Sequence, residues 1–311
     1  MTSSKHLDHE WLPAFIGGFR SGSTLLVNLL GFHPRLTPWF ETKEFCESLR
    51  WLRVLENPGA RAGEESLIQP RAPAGFSLDA VAARMRWHIS HNDRRLKKQV
   101  ADGKRSHERY PFGGDHILYS LSEAGRALNH WLALLGDDCS PPSVARATGE
   151  MITALGGRQA ALAGRNYWIN KTPEIPRFGR ELRSCLGDCR IVLMVRNGWD
   201  VVDSALALQW GQVEELAWWW RGLIEQSRDA AKPGLYLEVR YEELVSRPVE
   251  TLDRVLEFIG IRPVGGQVYR NYLSSGGAPL ALRSRRDGGR SGLRARFERV
   301  AGRLMAELGY D

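Results

Sequence analysis

The stretch LPAFIGGFRSGSTLLVNLLGF, residues 12–32, constrains the fold more than any other part of the chain. A short continuous apolar run meets paired glycines and then a second apolar segment, which reads as a buried strand, a tight turn and a helix. Such a turn aims successive backbone amides at one point, where the helix N-terminus adds partial positive charge. Gly17, Gly22 and Thr24 keep the spacing of the phosphate loop G-x-x-x-x-G-K-[ST]. The lysine position, however, holds Ser23, and the nearest cation is Arg20. Ser21 or Ser23 is placed to cap the first helical amides, and Gly31, ahead of His33 and Pro34, to end the helix.

Downstream, CRIVLMV (189–195) and GLYLEV (234–239) read as further strands. Helices are expected from Trp199, over VEELAWWWRGLIEQSRDA and over VETLDRVLEFIGI. Residues from about 45 to 165 read as mainly helical, in stretches such as SLDAVAARMRWHI and SEAGRALNHWLALLG, punctuated at NPGARAG, QPRAPAG and YPFGGD. Strands alternating with helices predict an α/β fold with a mostly parallel central sheet covered on both faces, a three-layer sandwich. With 311 residues, 43% of them hydrophobic and 25% charged, the chain is expected to be one such domain over 1–311 with a helical insertion at about 45–165.

The net charge of +7 and a pI near 9.4 favour anionic ligands. The polar start MTSSKHLDHEWLP lacks the apolar core of a secretory leader, and no run approaches a membrane span, so a cytoplasmic location is expected. Cys46, Cys139, Cys185 and Cys189 are too scattered for a disulfide framework and complete no metal site, so reduced thiols are expected.

In an ATP-using loop the lysine reaches the phosphates and the Ser/Thr holds magnesium. Here Arg20 offers instead a planar fork suited to two oxygens of one tetrahedral anion. CRIVLMV ends in Arg196, where a magnesium-handling strand would place aspartate. These departures weigh against a P-loop kinase or NTPase. A nucleic-acid-binding protein, favoured by the basic charge, leaves the order of the remaining blocks unexplained, so no nucleic-acid partner is expected.

Taken in order, those blocks resemble the sulfotransferases that use 3′-phosphoadenosine 5′-phosphosulfate (PAPS), and among them the bacterial and tyrosylprotein-type branch. FIGGFRSGSTLLVNLLGFHP is similar to the 5′-phosphosulfate loop, NKTP (170–173) to an Asn-Lys-x-Pro segment and MVRNGWDVVDSAL to the 3′-phosphate motif. VRYEELVSRPVETLDRVLEFIGI resembles the late Tyr-Glu-x-Leu strand–helix unit, and LMAELGYD a common ending. The resemblance implies PAPS as co-substrate with no metal required, and a hydroxylated acceptor as partner. It assigns Arg20, Ser21, Gly22, Ser23 and Thr24 to the 5′-phosphosulfate, Arg196 and Ser204 to the 3′-phosphate, and Tyr241 to the nucleotide site. Arg286 and Arg290, with Arg285 around Gly288 and Gly289, match a loop that closes over the nucleotide, although a solvated basic loop has the same pattern.

An attacking hydroxyl needs a base. HPRLTPWFETKEF resembles the segment that carries it, which places Glu41 on the catalytic glutamate; a slip of one residue would choose Glu44. Lys171 falls on the lysine that steadies the transferring group. His33 reads as a helix-ending residue, and His107 and His116 stand in reserve as bases. Phe19 replaces a frequent proline and Lys43 an arginine. The basic stretch 84–110 suits either an anionic acceptor or a solvated helix face. Trp218, Trp219 and Trp220 point about 100° apart on a helix, so they form no single platform and at least one belongs in the core.

Overall fold

The computed structural model describes residues 11–57, 77–101, 117–280 and 291–310. Five strands form one all-parallel sheet: β1 (Ala14–Gly17), β2 (Leu36–Phe40), β3 (Tyr167–Lys171), β4 (Arg190–Val195) and β5 (Tyr236–Arg240), in the order β2-β3-β1-β4-β5. The helices between strands are α1 (Ser23–Leu30), then α2 (Lys43–Glu56), α3 (Leu78–Ala101), α4 (Leu121–Leu135) and α5 (Pro141–Leu162), then α6 (Gly179–Leu186) after a 3₁₀ turn, then α7 (Gly198–Leu206) and α8 (Val213–Asp229). Beyond β5 come α9 (Tyr241–Ser246), α10 (Pro248–Phe258), α11 (Gln267–Ser274) and α12 (Ser291–Glu307).

The period-two alternation of the strands sorts the core into layers. Ala14, Ile16, Leu36, Phe40, Ile169, Val192, Met194 and Val239 face α1, α9, α10 and α11. On the other face, Phe15, Trp39, Trp168 and Ile191 meet α2 to α6, while Leu193 and Val195 meet α7, α8 and α12. Strands covered on both faces read as continuous apolar runs, which is why AFIG and RIVLMV stood out in the sequence.

Two strands were missed. β2 contains Pro38, which argues against a strand until its place is known. It lies at the sheet edge, where the Pro38 carbonyl turns away from β3 and accepts from Gln159 Nε2 at 2.8 Å, so the absent N–H falls outside the ladder. β3, YWINK, ends in Asn170 and Lys171, two buried polar residues that break the apolar run. The expected serine cap of α1 is also corrected: Gly22 occupies the N-cap at φ 86° with no side-chain cap, while Ser21 Oγ donates back to the Phe19 carbonyl (2.9 Å) and Ser23 Oγ to that of Gly18 (3.0 Å).

β1 is flanked by β3 on one side and β4 on the other: the crossover from β1 runs toward the β2 edge, and the later one from β3 runs the opposite way, past β1 to β4. The crevice beyond the carboxyl ends of strands at such a point is where open α/β sheets bind ligands.

Candidate functional site

The turn after β1 is built for close backbone approach. A Cβ on Gly22 would lie 2.5 Å from Tyr241 Cδ2, and its left-handed φ already disfavours any other residue. The loop serines spend their hydroxyl protons on loop carbonyls, which fixes the loop's shape and leaves the first amides of α1 without a side-chain cap. Arg20 sits at φ 49°, and its Nε and Nη2 donate to Ser204 Oγ at 3.3 and 3.2 Å. The resemblance had assigned Arg20 to the 5′-phosphosulfate and Ser204 to the 3′-phosphate; the fold brings them into contact.

Arg196 follows β4 directly. Its Nη2 donates to Asp200 Oδ2 at 2.9 Å, and its guanidinium lies 4.5 Å from the centre of the Tyr241 ring. Arg196 Nε is buried and makes no hydrogen bond, a donor that an anion would satisfy. Tyr241 thus lies against both Gly22 and Arg196, joining the turn after β1 to the turn after β4 through one ring. The turn that carries Arg196 is anchored from behind. Glu242 accepts from the Asn197 amide (3.2 Å) and from the Tyr310 hydroxyl (2.9 Å), and Asn197 Oδ1 caps α7 through the Asp200 amide. Glu242 was read only as a motif letter; here it ties the chain's end to this turn.

The carboxylate side assembles across β2 and β3. Lys171 Nζ donates to Glu41 Oε1 at 2.7 Å, and the Glu41 amide donates to the Lys171 carbonyl at 2.7 Å. Glu41 itself is left-handed, at φ 55°. Beneath this pair lies a ring of uncharged side chains, all fully buried. Asn170 Nδ2 donates to Thr42 Oγ1 (2.8 Å), Thr172 Oγ1 donates to Asn170 Oδ1 (3.2 Å), and the Thr42 amide donates to Thr172 Oγ1 (3.1 Å). Thr42, Asn170 and Thr172 therefore lock the ends of the two strands together. The letters ETK and NKTP were visible in the sequence, but only strand pairing reveals that they form one unit.

Glu44, the competitor for Glu41, goes elsewhere. It is 2% exposed in the first turn of α2, beside Tyr119, and burial pushes its carboxyl up to about 7. Glu47, one turn on, is equally buried, but His88, Arg50 and Arg84 outweigh the burial and hold it near 2. His33 Nε2 donates to the Arg262 carbonyl and its Nδ1 accepts from the Arg35 amide, the structural role expected of it. Of the tryptophans, Trp220 is core at 1% exposure, Trp219 rests on Phe19, and Trp218 is exposed. Arg285, Arg286, Arg290, His107 and His116 lie outside the described residues, as does the end of the basic stretch, 102–110. Among the described residues no group of three or more His, Cys, Asp or Glu is arranged to hold a metal ion, and no helix is long and apolar enough to cross a membrane.

Residues 13–264 match the model of the sulfotransferase family. No curated protein sequence matches the chain. Among solved structures, the sulfotransferase domain of the olefin synthase from Synechococcus PCC 7002 is similar in fold, with a TM-score of 0.52 and 17% identity over 100% of this chain and 98% of that one. Sulfotransferase STF9 from Mycobacterium avium is 14% identical over 97% of this chain and 78% of its own, at a TM-score of 0.49.

Proposed function

The chain belongs to the sulfotransferase family, and on that premise we propose that it moves the sulfuryl group of PAPS onto a hydroxyl oxygen of a small molecule, carbohydrate or peptide. The observation that carries the proposal is the Glu41–Lys171 ion pair, which sets a proton acceptor beside a cation at the carboxyl ends of β2 and β3, one strand away from the uncapped α1 loop.

In this reading the first amides of α1, with Arg20, Ser21, Gly22, Ser23 and Thr24, cradle the 5′-phosphosulfate. Arg196 and Ser204 hold the 3′-phosphate, which the buried, unbonded Nε of Arg196 suits. Tyr241 braces the nucleotide between them. The resemblance assigns Arg286 and Arg290 to the same nucleotide.

The acceptor oxygen attacks sulfur in line while the bond from sulfur to the 5′-phosphate oxygen breaks. Glu41 takes the acceptor's proton, and Lys171 steadies the charge gathering on the departing oxygen. The products are a sulfate ester and 3′-phosphoadenosine 5′-phosphate. Arg20, Lys171 and Arg196 supply the positive charge, so no step is assigned to a metal ion. Positioning and preset electrostatics then account for most of the rate.

Radiolabelled PAPS, incubated with panels of phenols, sugars and hydroxylated peptides, tests the reading. Label is expected in an acceptor product, and Glu41→Gln should slow its formation on the order of 10²-fold while still binding nucleotide. Label that stays on the donor with every class, together with phosphoryl transfer from ATP, would overturn it.

A further inference from the structure

Trp210 is a large side chain left 46% exposed, in a position that core packing does not require. It is nevertheless placed with care. Helix α7 ends with Gln209 in the left-handed conformation, φ 57°, and the Trp210 amide donates back to the Ala205 carbonyl at 3.2 Å. This is the six-to-one closure of a helix C-terminus, whose left-handed position ordinarily takes glycine or asparagine. Left-handed backbone at a non-glycine residue carries strain and persists where the surroundings enforce it. Among the described residues only Arg20, Glu41 and Gln209 share it, and the first two belong to the site already described.

Helix α7 and its cap bring two groups to one guanidinium. Ser204 Oγ accepts from Arg20 Nε and Nη2, and the Trp210 ring centre lies 5.3 Å from the Arg20 guanidinium carbon. Trp210 is itself backed by Phe19, at 5.7 Å between ring centres, and Phe19 rests on Trp219 at 3.8 Å. An arginine side chain on an exposed loop has several torsions to order before it grips an anion. A guanidinium laid on an aromatic face and bonded at its edge has ordered them already.

We propose that Trp210 is a positioning residue for Arg20, its indole face holding the guanidinium at Ser204 in the orientation that meets the donor's anion. Phe19, which stands where the resembled family often has proline, supports that face from the loop side. The inference rests on the reading that Arg20 grips the donor nucleotide.

Calorimetric titration of the full chain with 3′-phosphoadenosine 5′-phosphate tests it. Four variants are compared with the wild type: Trp210→Ala, Trp210→Phe, Arg20→Ala and the Arg20→Ala/Trp210→Ala double variant, each checked for an unchanged melting temperature. Trp210→Ala is expected to weaken binding about fivefold, the scale of a partly exposed cation–π contact, and Trp210→Phe to restore it to within about twofold. In the Arg20→Ala background the loss of Trp210 is expected to change nothing, because Trp210 acts through Arg20. An equal loss in both backgrounds, or undiminished affinity in Trp210→Ala, overturns the inference while leaving the donor assignment in place. A wild-type protein that does not bind the nucleotide overturns the donor assignment, and the role of Trp210 with it.

Discussion

The turns after β1 and β2 each hold a non-glycine residue in the left-handed conformation, Arg20 at φ 49° and Glu41 at φ 55°, yet they hold it by different means. The first turn is shaped by backbone: Gly18 at φ 132°, Gly22 at φ 86°, and serines bonded to carbonyls within five residues. The second is shaped by side chains from a strand some 130 positions away, through the ring of Thr42, Asn170 and Thr172. One turn carries its geometry in its own letters. The other borrows it.

That difference separates what single-sequence reading can reach from what it cannot. The first turn was legible because glycine at a left-handed position and short side chains beside it are local requirements. β1 and β4 were legible for a similar reason, as apolar runs meeting turn residues, whereas Arg196 and Ser204 were assigned by resemblance. The pairing of Glu41 with Lys171 was not derivable from spacing, because β2 carries Pro38 and β3 ends in polar residues, which hides both strands. Their roles came from resemblance alone. The contact of Arg20 with Ser204 was missed for another reason: α7 returns toward the loop only once β4 lies beside β1. Nor does spacing explain why Glu44 and Glu47, on one helix, differ so widely. Only the fold shows that Glu47 has Arg50, Arg84 and His88 as partners, while Glu44 has burial and an unbonded Oε2.

The contrast between the turns can be broken directly. Gly22→Ala puts a methyl group against Tyr241 and strains a left-handed N-cap, so binding of 3′-phosphoadenosine 5′-phosphate should fall by about 10²-fold. Asn170→Ala opens the ring beneath Glu41 and should lower turnover by about tenfold while nucleotide affinity holds, the cost of a displaced catalytic group. Binding lost equally in both variants would mean that the two turns are one unit and that the distinction is false.

The smallest effect on activity is expected at Glu44. Its folded pKa of about 7 lies above the ordinary 4.5, so the folded state takes up a proton between those values. The associated stability is fully present below about pH 4.5, declines as pH rises, and is gone above about pH 7. Glu44→Gln removes the decline. The variant should match the wild type in acid and exceed it by about 3 kcal/mol in mild base, read by denaturant titration, with turnover within about twofold. A large loss of turnover would instead place Glu44 in the chemistry.

The central claim is that the protein reads a nucleotide bearing a 3′-phosphate. Calorimetric titration of wild type and Arg196→Ala with 3′-phosphoadenosine 5′-phosphate and with AMP tests it most directly, because it needs no knowledge of the acceptor. The wild type should prefer the 3′-phosphorylated ligand by at least about tenfold, the worth of a charge-assisted contact, and Arg196→Ala should erase that preference while barely changing AMP. Equal wild-type affinity for the two ligands, or equal losses for both in Arg196→Ala, would contradict the account.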